Sequence, residues 1–333
     1  MEERREIMNK SLYKSSGKNL WKGRETDPSL GAQYWYQKIE CLDLNEYPLN
    51  SDSKNKEIGI IGYACDEGVR RNQGRVGAFS APFEIRKKLA KIALHFDNKR
   101  IVDFGDIICE GNDMEACQDE LSTCVSSMLN HKILPIVMGG GHDIAYGHFM
   151  GIKDALNNFD KKKIGIINFD AHFDLRPFEE QGNSGTPFNQ INAVLNTEKK
   201  ALNYFVLGIQ QQANTRELFQ IADKLGVQYL LNEECHLLNI EKIKEELTSF
   251  IEANDCIYLT IDMDGFSSAY APGVSAPSSL GMEPLFVLEL LKHIFKSDKV
   301  VSCDIAELNP TYDIDGITAS LAARLIDAIV QVY

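Results

Sequence analysis

A run of metal-ligating side chains follows one of the most apolar segments of the chain. Residues 163–169 lead directly into Asp170, His172 and Asp174, in the pattern D-A-H-F-D. Alternate residues of an extended chain point to the same side, so these three side chains converge. Charged groups at the end of a buried strand need partners, because burying them unpaired is costly. We interpret this run as part of a metal site.

Two other apolar segments end in similar residues. Residues 256–261 run into Asp262 and Asp264, and residues 133–138 run into G-G-G-H-D, which contains His142 and Asp143. Alone, the pair Asp262 and Asp264 is typical of a helix cap or an ion pair. The G-G-G-H-D run could be a plain turn or a phosphate loop, although the spacing of nucleotide-binding motifs is absent. Two roles are equally compatible with Asp143: it could support the metal ligands from behind, or it could be an acid in the first turn of a helix.

Together the three segments offer two imidazoles and four carboxylates: His142, Asp170, His172, Asp174, Asp262 and Asp264. Four carboxylates balance the charge of two divalent cations, and an oxygen-rich set with two histidines suits Mn²⁺ better than thiolate-seeking metals. A structural zinc site uses four ligands, usually with Cys, and would leave carboxylates over. Two neighbouring metal ions can activate water at neutral pH. The pattern therefore indicates a hydrolase with a binuclear metal centre.

A fourth segment adds one more carboxylate. Residues 300–306 are followed by Glu307, within D-I-A-E-L-N-P. By itself Glu307 could be a solvated surface acid, as isolated carboxylates usually are. Beside a binuclear metal centre, it is a candidate anchor for a cationic amidine or guanidine group.

The elements that must position these residues are short Ile- and Val-rich runs, which indicate strands buried on both faces. We predict strands at 57–64, 100–105, 133–138, 163–169, 203–209, 227–231, 256–261 and 300–306. Helical spacing predicts helices at 80–94, 114–131, 239–254 and 282–296, the first with Ser80 as N-cap and Pro82 in its first turn. This alternation predicts a mostly parallel sheet with helices on both faces, which binds ligands at the carboxyl ends of its strands.

Composition restricts the class of protein. The 333 residues include 35 Lys+Arg and 48 Asp+Glu, which gives a net charge of −13. This acidic balance does not favour binding to nucleic acid or to an anionic membrane. No apolar run is long enough to span a bilayer, and the N-terminus lacks a secretory signal, so we expect a cytoplasmic protein. The eight cysteines form no C-x-x-C pair, which favours reduced, buried thiols.

The organisation along the chain predicts two parts. Residues 1–57 form a leader that carries Trp21 and Trp35, and part of it should pack on the main body. Residues 58–333 show no internal boundary, so we predict a single α/β catalytic domain there.

The sequence resembles the arginase/agmatinase (ureohydrolase) superfamily, because it carries four of the family's motifs in the same order: G-G-x-H, D-A-H-x-D, D-x-D and D-x-x-E-x-x-P. The likeness extends from about residue 58 to the C-terminus and includes residues 74–86, which are similar to the family's opening helix. It implies a three-layer α/β/α fold with a mostly parallel, eight-stranded sheet. It also implies two Mn²⁺ ions per chain on the six ligands, and a homo-oligomer. Asp174 would orient the attacking water, and Glu307 would hold the amidinium group of the substrate.

Two departures from the family pattern are informative. The D-x-D pair is followed by G-F-S-S rather than by a third Asp, and that position is not a metal ligand. The loop after D-A-H-F-D contains no His, and Phe188 takes the place of the histidine that serves proton transfer in arginases. This loop, with W-K-G-R-E-T-D at 21–27 and D-E-G-V-R-R-N-Q-G-R at 66–75, resembles the branch that hydrolyses N-formimidoyl-L-glutamate to L-glutamate and formamide in histidine degradation.

An anionic substrate with two carboxylates requires cations, and arginine binds carboxylates with two parallel hydrogen bonds. Arg176 follows the ligand Asp174 by two residues and is the first candidate. The further candidates for substrate binding are Arg70, Arg71, Arg75, Asn183 and Ser184. Surface positions are the alternative for these arginines. The alternative functions are hydrolysis of a guanidino compound such as agmatine, guanidinobutyrate or arginine, and a metal-free protein that only binds or assembles.

Overall fold

A ten-stranded sheet forms the centre of the computed structural model, which describes residues 12–47, 56–156 and 162–333. Its strands are β1 (Tyr13–Lys14), β2 (Glu40–Cys41), β3 (Lys56–Ala64), β4 (Lys99–Ile108), β5 (Ile133–Met138), β6 (Ile164–Phe169), β7 (Asn203–Ile209), β8 (Gln228–Leu231), β9 (Cys256–Asp262) and β10 (Val300–Ala306). The order is β1-β4-β3-β5-β10-β9-β6-β7-β8, with β2 also beside β4. Among these pairings only β1 with β4 is antiparallel.

Helices cover both faces of the sheet. They are α1 (Trp35–Lys38), α2 (Glu67–Arg71), α3 (Ala81–Leu89), α4 (Met114–Asn130), α5 (Ile144–Ala155), α6 (Pro187–Thr197), α7 (Arg216–Leu225), α8 (Ile240–Glu252), α9 (Pro284–Phe295) and α10 (Ile317–Val332). Alternate residues of β9 enter two separate apolar cores: Ile257 and Leu259 pack with α3, α8, α9 and α10, whereas Tyr258 packs with α4 to α7. The predicted three-layer α/β/α fold is confirmed.

All eight predicted strands are present, but the sheet is wider than expected. The two additional strands, β1 and β2, contain two residues each and add to β4 from the leader. A two-residue strand is too short to show hydrophobic alternation in the sequence. The prediction of eight strands therefore omits only these two short strands.

The helix predicted over 80–94 needs correction, while the other three predicted helices are found within two residues of their expected ends. α3 ends at Leu89, and the side chain of Ser80 makes no capping hydrogen bond. A 3₁₀ turn at Ala78–Ser80 runs directly into α3, so the backbone of Ser80 is already helical (φ −84°, ψ −4°). An N-cap residue needs an extended backbone to accept from the first-turn amides.

Two tryptophans of the leader lie in the protein interior. The indole of Trp21 donates to Asp103 (2.7 Å), which also binds the buried guanidinium of Arg86, and the indole of Trp35 donates to Asp327 on α10 (2.8 Å). Burying an indole costs little when its N–H has a partner. The boundary at residue 57 and a single catalytic domain over 58–333 stay predictions.

The order of the central strands explains how four distant motifs meet. β5, β10, β9 and β6 are consecutive neighbours in the sheet, and all are parallel. Their carboxyl ends therefore lie side by side at one edge, which is where ligands bind in such sheets. In the parts of the chain described, no helix combines the length and apolarity needed to cross a membrane. All eight cysteines are free thiols.

Candidate active site

The glycine-rich turn after β5 directs His142 back over the end of the sheet. Gly140 has a left-handed backbone (φ 75°), and a Cβ there would lie only 2.5 Å from the ring of Tyr63. Only glycine adopts this conformation without strain in so little space. This turn therefore positions an imidazole beside the residues that follow β6 and β9.

Three carboxylates converge on one nitrogen of His142. Its Nδ1 lies 3.0 Å from Asp170 Oδ2, 2.9 Å from Asp174 Oδ2 and 3.1 Å from Asp262 Oδ2. This nitrogen is buried and has no hydrogen bond of acceptable geometry to any residue described. One ring nitrogen cannot serve three carboxylates, whereas a cation among the four groups would satisfy them all.

A second group of ligands shares Asp170 with the first. Nδ1 of His172 lies 3.6 Å from Asp170 Oδ1 and 3.2 Å from Asp264 Oδ2. Asp170 thus turns one oxygen toward each histidine. Asp262 belongs to the first group, and its other oxygen accepts the backbone N–H of Asp264 (2.7 Å). The structure brings the six predicted ligands together as two adjoining groups.

The buried carboxylates of the cluster repel one another, and a bound cation would relieve that repulsion. Burial, followed by repulsion from Asp264 and Asp170, raises the pKa of Asp262 well above its usual range. Burial likewise raises the pKa of Asp264, to about 6, although His172 opposes the shift. For His142 burial lowers the pKa, but the three surrounding carboxylates outweigh it and the net shift is upward. Oxygen and imidazole donors without a thiolate fit Mn²⁺.

Glu307 lies beside the first group and is not a surface acid. It is buried, and its Oε1 accepts the backbone N–H of His142 (2.9 Å). Burial, followed by repulsion from Asp262, raises its pKa well above the usual range. Both Glu307 (φ 64°) and Asp174 (φ 49°) have left-handed backbones, which are strained for residues other than glycine. Such strain is common at functional sites.

A cavity of about 290 Å³ opens above the two groups of ligands. Its floor contains His172, Asp174, Asp262, Asp264 and Glu307. Its walls include Asn72, Arg75, Arg176 and Ser184, so three of the predicted substrate-binding residues line it.

The two arginines of the cavity differ in how they are held. The side chain of Arg75 donates to the carbonyl groups of Ser275 (2.9 Å) and Val274 (2.6 Å), and its guanidinium lies 4.0 Å from the ring centre of Tyr312. Arg176 is exposed, and its guanidinium makes no ion pair within the described residues. Arg75 is therefore a fixed cation, and Arg176 is available to a ligand.

The other substrate-binding candidates do not line this cavity. Arg70 and Arg71 lie on α2, where both pair with Glu67, and Arg71 also pairs with Glu115 (2.5 Å). These internal partners direct both side chains elsewhere. Asn183 uses its side-chain oxygen to accept the N–H of Gly185 (2.9 Å), which stabilises the loop itself.

Phe188 and Asp143 support the ligands from behind. The ring of Phe188 is buried, meets the ring of His142 edge-on (5.5 Å between centres) and stacks on Tyr204 (4.3 Å). It can transfer no proton. Asp143 makes no capping hydrogen bond to α5 and instead accepts from the hydroxyl of Tyr63 (2.8 Å), which favours the supporting role over that of a first-turn acid.

Sequence reasoning missed the polar residues behind His142. Thr260 lies 2.9 Å from His142 Nε2, and Asp304 accepts from the Thr260 hydroxyl (2.6 Å). Both residues lie inside strands. There Thr260 looks like an ordinary β-branched strand residue. Asp304 begins the D-I-A-E-L-N-P motif and is a polar residue within an apolar run, but neither feature indicates which residue it supports.

Comparison with known proteins agrees with this geometry. The arginase family model matches residues 56–331. The formimidoylglutamase of Clostridium tetani is 40% identical over 329 residues (96% of this chain, 97% of the relative), and that of Aeromonas salmonicida is 41% identical over 321 residues (96% and 99%). Among solved structures, formimidoylglutamase from Bacillus subtilis has a TM-score of 0.78 at 24% identity (92% and 93% covered). Trypanosoma cruzi formiminoglutamase with Mn²⁺ has a TM-score of 0.73 at 23% identity (84% and 94%).

Proposed function

The chain belongs to the arginase family, and we propose that it hydrolyses N-formimidoyl-L-glutamate to L-glutamate and formamide with two Mn²⁺ ions. The observation that carries this proposal is a cavity with four of the six metal-ligating side chains on its floor, the other two ligands grouped with these, and two arginines in its walls. Full-length relatives that are formimidoylglutamases support the same substrate.

Each of the two groups of ligands would hold one ion. His142, Asp170, Asp174 and Asp262 would hold the first ion, and Asp170 with His172 and Asp264 would hold the second. When bound there, Mn²⁺ would lower the pKa of a water molecule so that it could act as the nucleophile at neutral pH. Asp174 faces both the ligands and the cavity, so its carboxylate is placed to accept a proton from that water and to orient it.

Glu307 holds the reacting group of the substrate. Its Oε1 is held by the backbone N–H of His142, and the side chain forms part of the cavity floor. A buried carboxylate in this position pairs with the amidinium of the substrate and fixes the formimidoyl carbon above the ligands. Addition of water to that carbon, followed by cleavage of its bond to the glutamate nitrogen, gives formamide and glutamate. The proton taken from water goes to the leaving amine.

The arginines select a dianionic tail. Arg176 offers a free guanidinium fork to one substrate carboxylate. Arg75 uses two of its five N–H groups on carbonyl oxygens of Val274 and Ser275, which holds it rigidly while further donors face a second carboxylate. Ser184 adds a hydroxyl to the same wall.

Agmatine and arginine fit this wall less well. Agmatine carries a cationic tail, and arginine carries an α-ammonium group, so both bring positive charge toward Arg176 and Arg75. Like charges disfavour binding at short range. A homo-oligomeric state and a cytoplasmic location stay predictions from the sequence.

Identification of the products tests the proposed reaction. The formimidoyl carbon carries two C–N bonds, and we expect Mn²⁺-loaded protein to form formamide and glutamate in equal amounts. Release of ammonia with N-formylglutamate would show cleavage of the other bond and would contradict the proposal, as would the absence of turnover. Chelator-treated protein should be inactive and recover with Mn²⁺, and Asp170→Asn serves as the inactive control.

A further inference from the structure

The two histidines of the candidate metal centre are held in different ways. His142 is fully buried, and its Nε2 lies 2.9 Å from the hydroxyl oxygen of Thr260. The side chain of His172 is 22% exposed, and its Nε2 has no hydrogen bond within the described parts of the chain. Of the two histidines, only His142 therefore has a hydrogen bond to a described residue through Nε2, the ring nitrogen that does not face the carboxylates.

The direction of the hydrogen bonds behind His142 follows from the donors available. Thr260 Oγ1 lies 2.6 Å from Asp304 Oδ1, and a carboxylate can only accept. Thr260 has one hydroxyl proton and donates it to Asp304. The same oxygen must then accept from His142, so the imidazole carries its proton on Nε2.

Asp304 is held firmly in this accepting position. Its second oxygen receives the hydroxyl of Tyr258 and lies 2.6 Å from Nδ1 of His148, and all of these residues are buried. Thr260 and Asp304 also face each other across the parallel pairing of β9 and β10. The arrangement is therefore built from rigid strands rather than from loops.

We propose that Thr260 and Asp304 are positioning residues that fix the tautomer of His142, so that its Nδ1 lone pair points at the first ion site. This inference rests on the proposed function, because it assumes that the His142 group holds one of two Mn²⁺ ions. A metal-bound histidine needs a free lone pair on one nitrogen, and its other nitrogen usually donates to a fixed partner. Among the described residues, His172 of the second ion site has no such partner, so this site should not depend on Thr260 and Asp304.

The test is a Mn²⁺ titration that counts ions per chain and measures the affinity of each. Thr260→Val keeps the shape of the side chain but removes the hydroxyl. We expect one ion to bind as in the wild type and the other to bind 10- to 100-fold more weakly, the range typical for loss of such a partner. Thr260→Ser restores the hydroxyl and should restore both affinities.

Thr318→Val is the matched control. Thr318 is another fully buried threonine, and its hydroxyl accepts the N–H of Gly273 (2.8 Å), away from His142. This variant should bind both ions as the wild type does. Should Thr260→Val not fold, Tyr258→Phe removes one donor to Asp304 and should weaken the same single ion.

The outcomes separate this inference from the proposed function. Unchanged affinities in Thr260→Val, equal weakening of both ions, or failure of Thr260→Ser to restore them would overturn the positioning role. A wild-type protein that binds a single ion would instead refute the two-ion site itself, before any variant is compared.

Discussion

Replacement of Arg176 by alanine should weaken the use of formimidoylglutamate without affecting the metal centre. Arg176 lines the cavity, forms no ion pair with any residue that the structure describes, and lies two residues beyond the ligand Asp174. Its loss leaves one substrate carboxylate without its guanidinium partner. Metal content should stay unchanged, because no ligand contacts are removed.

The size of the effect follows from the exposure of Arg176. A hydrogen bond to a charged group contributes about 1.5–3 kcal/mol, and solvent exposure reduces such a contribution. We therefore expect a loss of about 1–2 kcal/mol in transition-state stabilisation, which corresponds to about a 5- to 30-fold fall in kcat/KM. Arg176→Lys keeps the charge without the planar fork and should lie between alanine and the wild type.

Steady-state kinetics with formimidoylglutamate measure this effect. Arg324→Ala is the matched control, since it removes an exposed arginine from α10, outside the cavity. A wild-type kcat/KM in Arg176→Ala, or an equal loss in Arg324→Ala, would refute the reasoning.

Three further predictions concern the metal centre. Glu307→Gln should keep both ions but lower kcat/KM by about 30-fold or more, because truncating one partner of a buried charge pair costs about 2 kcal/mol or more; wild-type rates would exclude the assigned role. Asp170→Ala should abolish tight binding of both ions, since each of its oxygens serves a different group; metal analysis that finds two ions would contradict this. Mn²⁺ affinity should rise with pH through about 6, because protons held on Asp264 by its raised pKa must leave before the metal binds; an affinity that is flat between pH 5 and 7.5 would count against it.

The motifs and the central strands could be predicted from the sequence because both follow from local patterns. Strands buried on two faces appear as continuous apolar runs, and β5, β6, β9 and β10 are all of this kind. Polar residues directly after such runs must lie at one edge of a parallel sheet. The sequence therefore predicts that His142 and Asp170 lie close together.

The direction of individual side chains could not be predicted in this way. Arg70, Arg71 and Arg75 lie within six residues of each other, yet only Arg75 lines the cavity, because Glu67 holds the other two. The pairs with Glu67 are i,i+3 and i,i+4 pairs on α2, which are compatible with the sequence but not dictated by it, and the partner from α4, Glu115, lies 44 residues from Arg71, beyond the reach of local patterns. Thr260 was missed for a related reason, since a threonine inside a strand is favoured for its shape alone.

The central claim is the identity of the substrate, and a direct comparison of kcat/KM for formimidoylglutamate, agmatine and arginine tests it. All three should be assayed with the same Mn²⁺-loaded preparation. Because the cavity wall contains two arginines, we predict that formimidoylglutamate is hydrolysed at least 100-fold more efficiently than either guanidino compound. This is roughly the discrimination expected when cationic groups of a substrate meet fixed cations of the protein. Equal or preferred turnover of agmatine or arginine would contradict the account and would assign the cavity to a guanidino substrate.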